Sequence, residues 1–253
     1  MDLKLKGKCA IITGGSRGVG KGISTALAEE GVKVVINYNK SSTQAEELVE
    51  SIKKSGGEAY AVKANLEYPD ECRKLVEEAE KKLGKVDILI NNAGVWPTNW
   101  IQDISIDEWE KTIDINLTSV FLTSQAFIRN IIANGQQGGK ILNVTSQAAF
   151  NGSTTGHAHY AASKAGVVAL TVSMAREMAR YGINVNAIAL GMVQTDMTRN
   201  ALENNMEYYM KRIPIGRVAQ PSDIANIAVF LVSEPASYIT GATIDATGGM
   251  LMR

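Results

Sequence analysis

Short apolar runs rich in β-branched residues alternate with longer segments of helical periodicity, and this alternation limits the possible folds more than any other feature. The predicted strands are residues 9–13, 33–38, 59–63, 87–91, 140–145, 184–189 and 242–246. Strands that are apolar almost throughout are typical of a parallel sheet that helices cover on both faces. The 253 residues contain no repeat or linker, so we expect an α/β fold: one Rossmann-type domain with a doubly wound parallel sheet of about seven strands.

Two longer helices carry features of their own. The first is predicted over 105–132 and begins with Ser105 and Glu108 at the spacing of a capping box, in which each side chain bonds a free backbone N–H. The second covers 158–180 and is apolar or small nearly all round from Ala161 to Ala175. A helix covered only by its own sheet keeps a polar face, so this one needs a further partner. Another copy of the chain is the simplest choice, and loops of the same chain are the alternative. We expect a homotetramer, a dimer of dimers, although the helix pattern does not distinguish a tetramer from a dimer.

Composition makes several classes of function unattractive. Lys plus Arg and Asp plus Glu number 26 each, so the net charge is zero and neither nucleic acid nor an anionic membrane is expected as a partner. No apolar stretch is long enough to span a bilayer, and the first residues lack the apolar region of a signal peptide. Cys9 and Cys72 lie far apart without metal-ligand spacing, so we expect a cytoplasmic protein with reduced thiols and no metal.

The first predicted strand is followed by a glycine-rich loop with the sequence Thr13-Gly14-Gly15-Ser16-Arg17-Gly18-Val19-Gly20. Glycines let the chain turn sharply and let backbone N–H groups approach a pyrophosphate at the N-terminus of a helix. Such a loop is a weak signal alone. Between the first strand and the first helix of a doubly wound sheet, it predicts a dinucleotide site.

The end of the second predicted strand bears on which nicotinamide nucleotide is used. NAD-specific sites usually place a carboxylate there, on the ribose 2′-hydroxyl. This chain has Asn37, Tyr38, Lys40 and Ser41 in that region and no acid before Glu46. Together with Arg17 of the glycine loop, these residues could hold a 2′-phosphate. We therefore expect NADP(H), with NAD(H) or dual use as the alternative.

Tyr160 and Lys164 stand four residues apart near the start of the second long helix and therefore share one face. A tyrosine hydroxyl ordinarily has a pKa near 10, and a nearby ammonium favours the phenolate. The pair could donate a proton to an alkoxide that forms on a reduced carbonyl. Ser146, just past the fifth predicted strand, could hydrogen-bond the same oxygen.

With these motifs the chain resembles the short-chain dehydrogenase/reductase family over nearly its whole length. The matching motifs follow one another in the family's order: Thr13, Gly14, Gly18 and Gly20; Asn91-Asn92-Ala93-Gly94; Asn116; Asn143-Val144-Thr145-Ser146; and Tyr160-Ala161-Ala162-Ser163-Lys164. The resemblance implies that Tyr160 is the acid/base and that Ser146 orients and polarises the substrate oxygen. It implies that Lys164 lowers the pKa of Tyr160 and holds the nicotinamide ribose, and that Asn116 anchors a water linking Lys164 to solvent.

The resemblance also completes the expected cofactor site, in which Val193 and Thr195 contact the nicotinamide carboxamide. The full set is Gly14, Ser16, Arg17, Gly18, Val19, Gly20, Asn37, Tyr38, Lys40, Ser41, Asn65, Leu66, Asn92, Ala93, Gly94, Tyr160, Lys164, Gly191, Val193 and Thr195. Three departures are visible: Leu190-Gly191 replaces a Pro-Gly, Asn65 replaces an Asp near the adenine, and the Ser146–Tyr160 spacing is one residue longer. We expect catalysis to survive these changes and the substrate pocket to be reshaped.

Segments 95–100, 147–159 and 190–214 are expected to line the substrate pocket, and residues 190–214 are long enough to form a lid. Their aromatic, Met and His side chains suit a partly apolar substrate, although loops also use such residues simply to dock. These residues are Trp96, Trp100, Phe150, His157, His159, Met192, Met206, Tyr208, Tyr209 and Met210.

The whole pattern is similar to that of 3-oxoacyl carrier-protein reductases and bacterial glucose dehydrogenases. It implies hydride transfer between NADP(H) and a small-molecule carbonyl or secondary alcohol, most simply reduction of a ketone or 3-oxoacyl thioester. The alternatives are a sugar or steroid-type alcohol dehydrogenase using NAD(P) and a non-catalytic nicotinamide-binding scaffold. Basic residues that could dock a carrier protein are Lys211, Arg212, Arg217 and Arg129.

Overall fold

A parallel sheet forms the centre of the molecule. The computed structural model describes residues 1–153 and 155–252, and in them seven strands pair in the order β3-β2-β1-β4-β5-β6-β7. They are β1 Cys9–Ile12, β2 Lys33–Tyr38, β3 Ala59–Lys63, β4 Ile88–Asn91, β5 Gly139–Ser146, β6 Ile183–Leu190 and β7 Thr243–Ala246. All pairs are parallel, so the predicted fold class is confirmed. The predicted strands agree with the observed ones to within a residue at each end.

Helices lie against both faces of the sheet. They are α1 Gly18–Glu29, α2 Ser42–Lys54, α3 Pro69–Leu83, α4 Ile106–Ile113, α5 Ser119–Ala133, α6 Ala148–Asn151, α7 Ala158–Met178, α8 Arg199–Arg212 and α9 Pro221–Leu231. The last two were not predicted as helices. The sequence nevertheless contains a signal for the start of α9, because Pro221 occupies its first turn and Gln220 and Asp223 cap it reciprocally.

Neighbouring residues of each strand enter two different cores. Ile12 and Ile36 pack with α1, α2 and α9, whereas Ile11 and Val35 pack with α3, α5 and α7. This is the alternation that a pleated strand imposes, and it explains why both positions of each pair must be apolar. A third, small cluster of Met192, Leu202 and Ile213 lies outside the sheet, under α8.

The long helix predicted over 105–132 is interrupted. Between α4 and α5 a π-helical turn, Asp114–Thr118, widens the coil. The capping box at its start is only half formed: the Ser105 hydroxyl accepts the Glu108 N–H at 3.2 Å, but the Glu108 carboxylate turns away to other partners. That part of the prediction was wrong because Glu108 has competing partners in the loop after β4 and in the first turn of α7, as described below.

No helix among the described residues is long and apolar enough to cross a membrane. Within the same residues, no cluster of three or more His, Cys, Asp or Glu side chains could hold a metal ion.

Candidate active site

The strand order reverses between β1 and β4. From β1 the sheet extends towards β3 on one side, and from β4 it extends towards β7 on the other. In open α/β sheets ligands bind in the crevice that such a reversal opens at the carboxyl ends of the strands. The glycine loop follows β1, Asn92 follows β4 and Ser146 ends β5, so the motifs predicted to be functional share this edge.

Ser146 and Tyr160 meet in this crevice. Their side chains share a hydrogen bond, and the Ser146 oxygen also accepts the Ala148 N–H at 3.2 Å. Between them in the sequence, residues 148–151 form α6, a single helical turn. Burial raises the pKa of Tyr160 above its ordinary value, and the hydrogen bond with Ser146 offsets this only in part.

Lys164 is buried on the same face of α7, with its Nζ atom 5.8 Å from the centre of the Tyr160 ring. One of its three N–H groups donates to the Val144 carbonyl at 2.9 Å. Burial lowers the pKa of Lys164 to about 8. The net shift of the Tyr160 pKa is upward, because burial penalises the phenolate more than the hydrogen bond with Ser146 stabilises it; the lowering of this pKa by Lys164 stays a prediction.

Asn116 lies in the π-helical turn and is fully buried. Its Oδ1 accepts the Val95 N–H at 2.8 Å, and its Nδ2 donates to the Val95 carbonyl at 3.0 Å and to the Ser163 hydroxyl at 3.1 Å. Because all three contacts are within the protein, the side chain serves to tie the loop after β4 to the catalytic helix. Its predicted part in holding a water stays a prediction.

The glycine loop is held from two sides by asparagines that were predicted to touch the cofactor. Asn37 accepts the Gly14 N–H at 3.1 Å and donates to the Ala64 carbonyl at 3.2 Å, and it is 2% exposed. Asn92 donates to the Thr13 and Gly14 carbonyls at 2.9 and 3.2 Å. Both side chains therefore shape the loop from beneath, and their contacts favour a positioning role over direct binding.

The glycines leave a cradle where a nucleotide could lie. A Cβ atom on Gly20 would stand 2.2 Å from the Gly14 oxygen, and one on Gly94 would stand 3.1 Å from Asn116 Oδ1 and 3.6 Å from Lys164 Nζ. Gly18 has a φ of +52°, and its missing side chain would meet the Thr195 methyl group at 3.3 Å. These close approaches fit a bound nicotinamide nucleotide that runs from the glycine loop towards Lys164.

The remaining predicted cofactor residues differ in how exposed their side chains are to solvent. Arg17 and Lys40 are exposed, and Tyr38 and Ser41 are half-buried. Val193 and Leu66 are 3% and 7% exposed, so their side chains belong to the packing beneath the cleft. Ser16 is also buried, and the half-buried residues are Val19, Asn65, Ala93 and Gly191.

Comparison with known proteins agrees with this geometry. Residues 14–251 match the family model described as enoyl-(acyl carrier protein) reductase. The chain is 42% identical to the 3-oxoacyl-[acyl-carrier-protein] reductase of Synechocystis, over 98% of both chains, and 43% identical to that of Staphylococcus epidermidis, over 97% of this chain and 99% of the relative. The chain belongs to the short-chain dehydrogenase/reductase family. It is therefore an oxidoreductase acting on CH–OH and C=O groups.

Solved structures of the family superpose closely. A short-chain dehydrogenase from Burkholderia cenocepacia, solved in complex with NADP, has a TM-score of 0.91 and 32% identity, covering 98% of this chain and 99% of its own. A 7α-hydroxysteroid dehydrogenase complexed with NADH and an oxo bile acid has a TM-score of 0.92 and 36% identity, covering 98% of this chain and 96% of its own. The short-chain dehydrogenase/reductase fold thus extends over the whole chain.

Both histidines of this family member lie beside Tyr160 and are buried. His157 stacks on Trp96 with 4.5 Å between ring centres, and its Nδ1 atom is 2.7 Å from the Pro97 carbonyl oxygen. His159 Nε2 is 3.2 Å from the Glu108 carboxylate. Burial lowers the pKa of His157, so its neutral form, donating from Nδ1 to Pro97, is favoured at pH 7. Of the predicted rim 147–159, Thr154 lies outside the described residues.

The sequence analysis missed two residues that organise this site. The Thr13 hydroxyl accepts the N–H groups of both Asn92 and Ala93, at 2.9 and 3.0 Å, and so joins the ends of β1 and β4. Glu108 joins the loop after β4 to the start of α7. Thr13 is part of the recognised glycine motif and could have been assigned. No local pattern around Glu108 points to partners 9 and 51 residues away.

Proposed function

We propose that this chain reduces the ketone of a 3-oxoacyl thioester, or of a comparable small carbonyl compound, with NADPH as the reductant. The observation that carries the proposal is the convergence of the Ser146 and Tyr160 hydroxyls beside buried Lys164 at the mouth of the glycine cradle. Two convergent hydroxyls suit a substrate oxygen that gains negative charge. The curated relatives named as 3-oxoacyl-[acyl-carrier-protein] reductases support the thioester.

The proton comes from Tyr160. Its raised pKa keeps the hydroxyl protonated at neutral pH, so it can donate to the substrate oxygen. Ser146 accepts the Ala148 N–H, which leaves its own O–H to orient that oxygen. NADPH, when bound, supplies the hydride. Lys164 has two N–H groups beyond the one given to Val144, and these can reach ribose hydroxyls and stabilise the phenolate left on Tyr160.

NADP(H) is preferred to NAD(H) because no carboxylate side chain follows β2 and exposed Arg17 and Lys40 flank the place where a 2′-phosphate would lie. The NADP complex of the Burkholderia relative supports this choice. The steroid dehydrogenase bound to NADH keeps a second candidate open, an NAD(P)-dependent dehydrogenase of bulky alcohols. Of the residues expected to help dock a carrier protein, Lys211 and Arg217 form ion pairs with Glu207 and Asp223.

The chain acts as one domain over residues 1–253, with residues 190–214 as a lid. Of α8, the helix within that segment, only Leu202 is buried, and a cavity of about 750 Å³ separates this helix from α1 and α9. Such weak packing suits an element that opens and closes. We expect lid closure on NADPH binding to slow proteolysis after Lys211; unchanged cleavage would count against it.

A homotetramer in the cytoplasm completes the proposal. Phe121 and Ile132 on α5 are 44% and 41% exposed, and the exposed positions of α7 include Ala162, Ala165 and Ala169. A face of small and apolar side chains suits close helix packing against another copy. Both cysteines are buried and unpaired, which suits a reducing compartment. Sedimentation equilibrium of the purified chain distinguishes tetramer, dimer and monomer.

The test is the absorbance of NADPH, and separately of NADH, with acetoacetyl thioester, cyclic and aromatic ketones, sugar lactones and steroid ketones. We expect turnover of acetoacetyl thioester with NADPH, and a loss of about 10³-fold or more in kcat in Tyr160→Phe. Turnover of steroid or sugar compounds alone would replace the substrate but keep the chemistry. Activity in Tyr160→Phe equal to that of the wild type would overturn the mechanism. If no compound is turned over although the nucleotide binds, a non-catalytic scaffold would be favoured.

A further inference from the structure

The indole of Trp96 forms one side of the cleft at the reacting group. Its ring centre is 6.5 Å from that of Tyr160, in an edge-to-face arrangement with 60° between the planes. One of its faces is covered by the His157 ring, which stacks at 4.5 Å and 24°. Trp96 is half-buried, so part of the indole remains exposed beside Tyr160.

Hydrogen bonds fix the backbone on both sides of Trp96. Before it, the Asn116 amide bonds both the N–H and the carbonyl of Val95. After it, the Pro97 carbonyl bonds His157, and the Asn99 N–H donates to the Gly156 carbonyl at 2.7 Å. A loop held at four points within five residues does not swing away to admit a larger substrate.

Glu108 ties this loop to the helix that carries Tyr160. One carboxylate oxygen accepts from Asn99 Nδ2 at 3.0 Å, and the other is 3.2 Å from His159 Nε2. His159 is fully buried in the first turn of α7, directly before Tyr160. The indole and the reactive tyrosine are therefore positioned by one connected set of contacts rather than by two independent loops.

We propose that Trp96 is a specificity-determining residue that selects carbonyl substrates with a small or flat group beside the carbonyl and excludes those with a bulky, branched one. The proposal rests on the proposed function, because it concerns the substrate held by Tyr160 and Ser146. A carbonyl oxygen within reach of the Tyr160 hydroxyl brings its substituents next to the indole. A flat group can lie against the aromatic surface, whereas a branched group would require the fixed ring to move.

From the sequence, both Trp96 and Trp100 were expected to line the pocket, but their environments differ: Trp96 packs beside Tyr160, whereas most of Trp100 is in solvent. Trp100 lies four residues further along the same loop and is 58% exposed. It follows the point at which Asn99 is bonded to Gly156 and Glu108, so it lies beyond the fixed segment. Trp100 is therefore a matched control, with the same side chain in the same loop but outside the fixed wall.

The test compares two 3-oxoacyl thioesters that differ only beside the ketone, acetoacetyl and 4,4-dimethyl-3-oxopentanoyl N-acetylcysteamine. The measured quantity is the ratio of kcat/KM for the branched compound to that for the small one. We expect Trp96→Ala to raise this ratio about tenfold or more, Trp96→Phe to raise it less, and Trp100→Ala to leave it unchanged. A ratio in Trp96→Ala within about twofold of wild type, or an equal rise in Trp100→Ala, would overturn the proposal.

Folding is controlled by the far-UV circular dichroism spectrum and by NADPH affinity. If Trp96→Ala does not fold, Trp96→Phe is used for the test, since it keeps an aromatic ring on His157 but presents a smaller ring to the substrate. An unchanged kcat/KM ratio in Trp96→Phe then overturns the proposal. If the wild-type chain reduces neither thioester, the proposed substrate fails by itself. The same variants are then compared on the ketone that is turned over and on its tert-butyl analogue, and the ratio decides as before.

Discussion

The Asn116 side chain pairs with both backbone polar groups of Val95, accepting its N–H at 2.8 Å and donating to its carbonyl at 3.0 Å. An amide side chain that bonds one residue in this way replaces a neighbouring strand, at the point where β4 has ended and the chain enters the cleft. The π-helical turn that contains Asn116 is what lets the side chain reach Val95.

Replacing Asn116 with Ala leaves both groups of Val95 without their partner in a partly buried site. We expect a loss of about 1–3 kcal/mol in the free energy of unfolding and a fall in kcat larger than any rise in KM for NADPH. Asn116→Asp keeps the acceptor for the Val95 N–H and should lie between the two. Asn134→Ala, at the exposed end of α5, is the control. Wild-type stability in Asn116→Ala would contradict the assignment.

Lys164 is expected to destabilise the folded chain at neutral pH. Its pKa of about 8, against the ordinary 10.5, corresponds to about 3 kcal/mol at 1.36 kcal/mol per pKa unit. The folded state loses this proton before the unfolded state does, so the cost is fully present below pH 8 and disappears as the pH rises from about 8 to 10.5.

Lys164→Met should therefore be inactive yet more stable than wild type at pH 7, and this advantage should shrink as the pH approaches 10. Urea unfolding of both proteins at several pH values measures the difference, in which other titrating groups cancel. Lys63→Met, at the exposed end of β3, is the control. A Met variant that is less stable at pH 7 would mean that the bond to Val144 outweighs the burial of charge.

Gly20→Ala should abolish nucleotide binding without unfolding the sheet. The new methyl group would stand 2.2 Å from the Gly14 oxygen and 2.6 Å from Asn92 Nδ2, so the glycine loop must move away from its place. We expect the Kd for NADPH, measured by fluorescence, to rise about 100-fold or more. Lys21→Ala, at the next and exposed position of α1, should bind as wild type does. Normal affinity in Gly20→Ala would show that the loop is not the binding cradle.

Arg17 and Lys40 should distinguish the two nicotinamide nucleotides. Charge-assisted hydrogen bonds contribute about 1.5–3 kcal/mol each, so replacing either side chain with Ala should raise the KM for NADPH about 10- to 100-fold. NADH lacks the 2′-phosphate, and its KM should hardly change. Lys54→Ala, at the exposed end of α2, controls for net charge. An equal rise for both nucleotides would argue against recognition of the phosphate.

Asn37→Asp, the substitution that would place a carboxylate at the end of β2, should not simply convert the chain to NADH. The Asn37 amide donates to the carbonyls of Val62 and Ala64, and a carboxylate would face both oxygens without a proton to share. We expect a loss of about 1–3 kcal/mol in the free energy of unfolding. Asn39→Asp, exposed two residues later, should be close to wild type in stability. A stable Asn37→Asp that prefers NADH would assign Asn37 to the cofactor after all.

The parts of the fold and site that depend on local pattern could be predicted from the sequence. The strands could be predicted because most of them are apolar on both faces, and the glycine loop because glycine adopts the positive φ of Gly14 and Gly18 at the least cost. Ser146 could be placed at the cleft because parallel strands end at one edge, and the family resemblance placed Tyr160 with it.

The contacts that adjust the site could not be predicted in the same way. Asn37 and Asn92 looked like cofactor ligands, and the side-chain bonds that turn them beneath the loop join residues 23 and 78 positions apart. The direction of the Tyr160 pKa depends on how deeply the ring is enclosed, which no spacing encodes. The π-helical turn could not be predicted either, because the sequence around Asn116 is compatible with an ordinary α-helix.

The two sides of the cleft differ in how tightly they are packed, so we expect mutations on each side to change a different property of the enzyme. The Trp96 side is part of the rigid body, so substitutions there alter which molecules fit. The α8 side packs on the rest of the chain only through the small cluster around Leu202, so we expect substitutions there to alter how quickly molecules enter and leave. Substrate selectivity and turnover rate can thus change independently. The same catalytic residues can therefore act on new substrates without a change in their own arrangement.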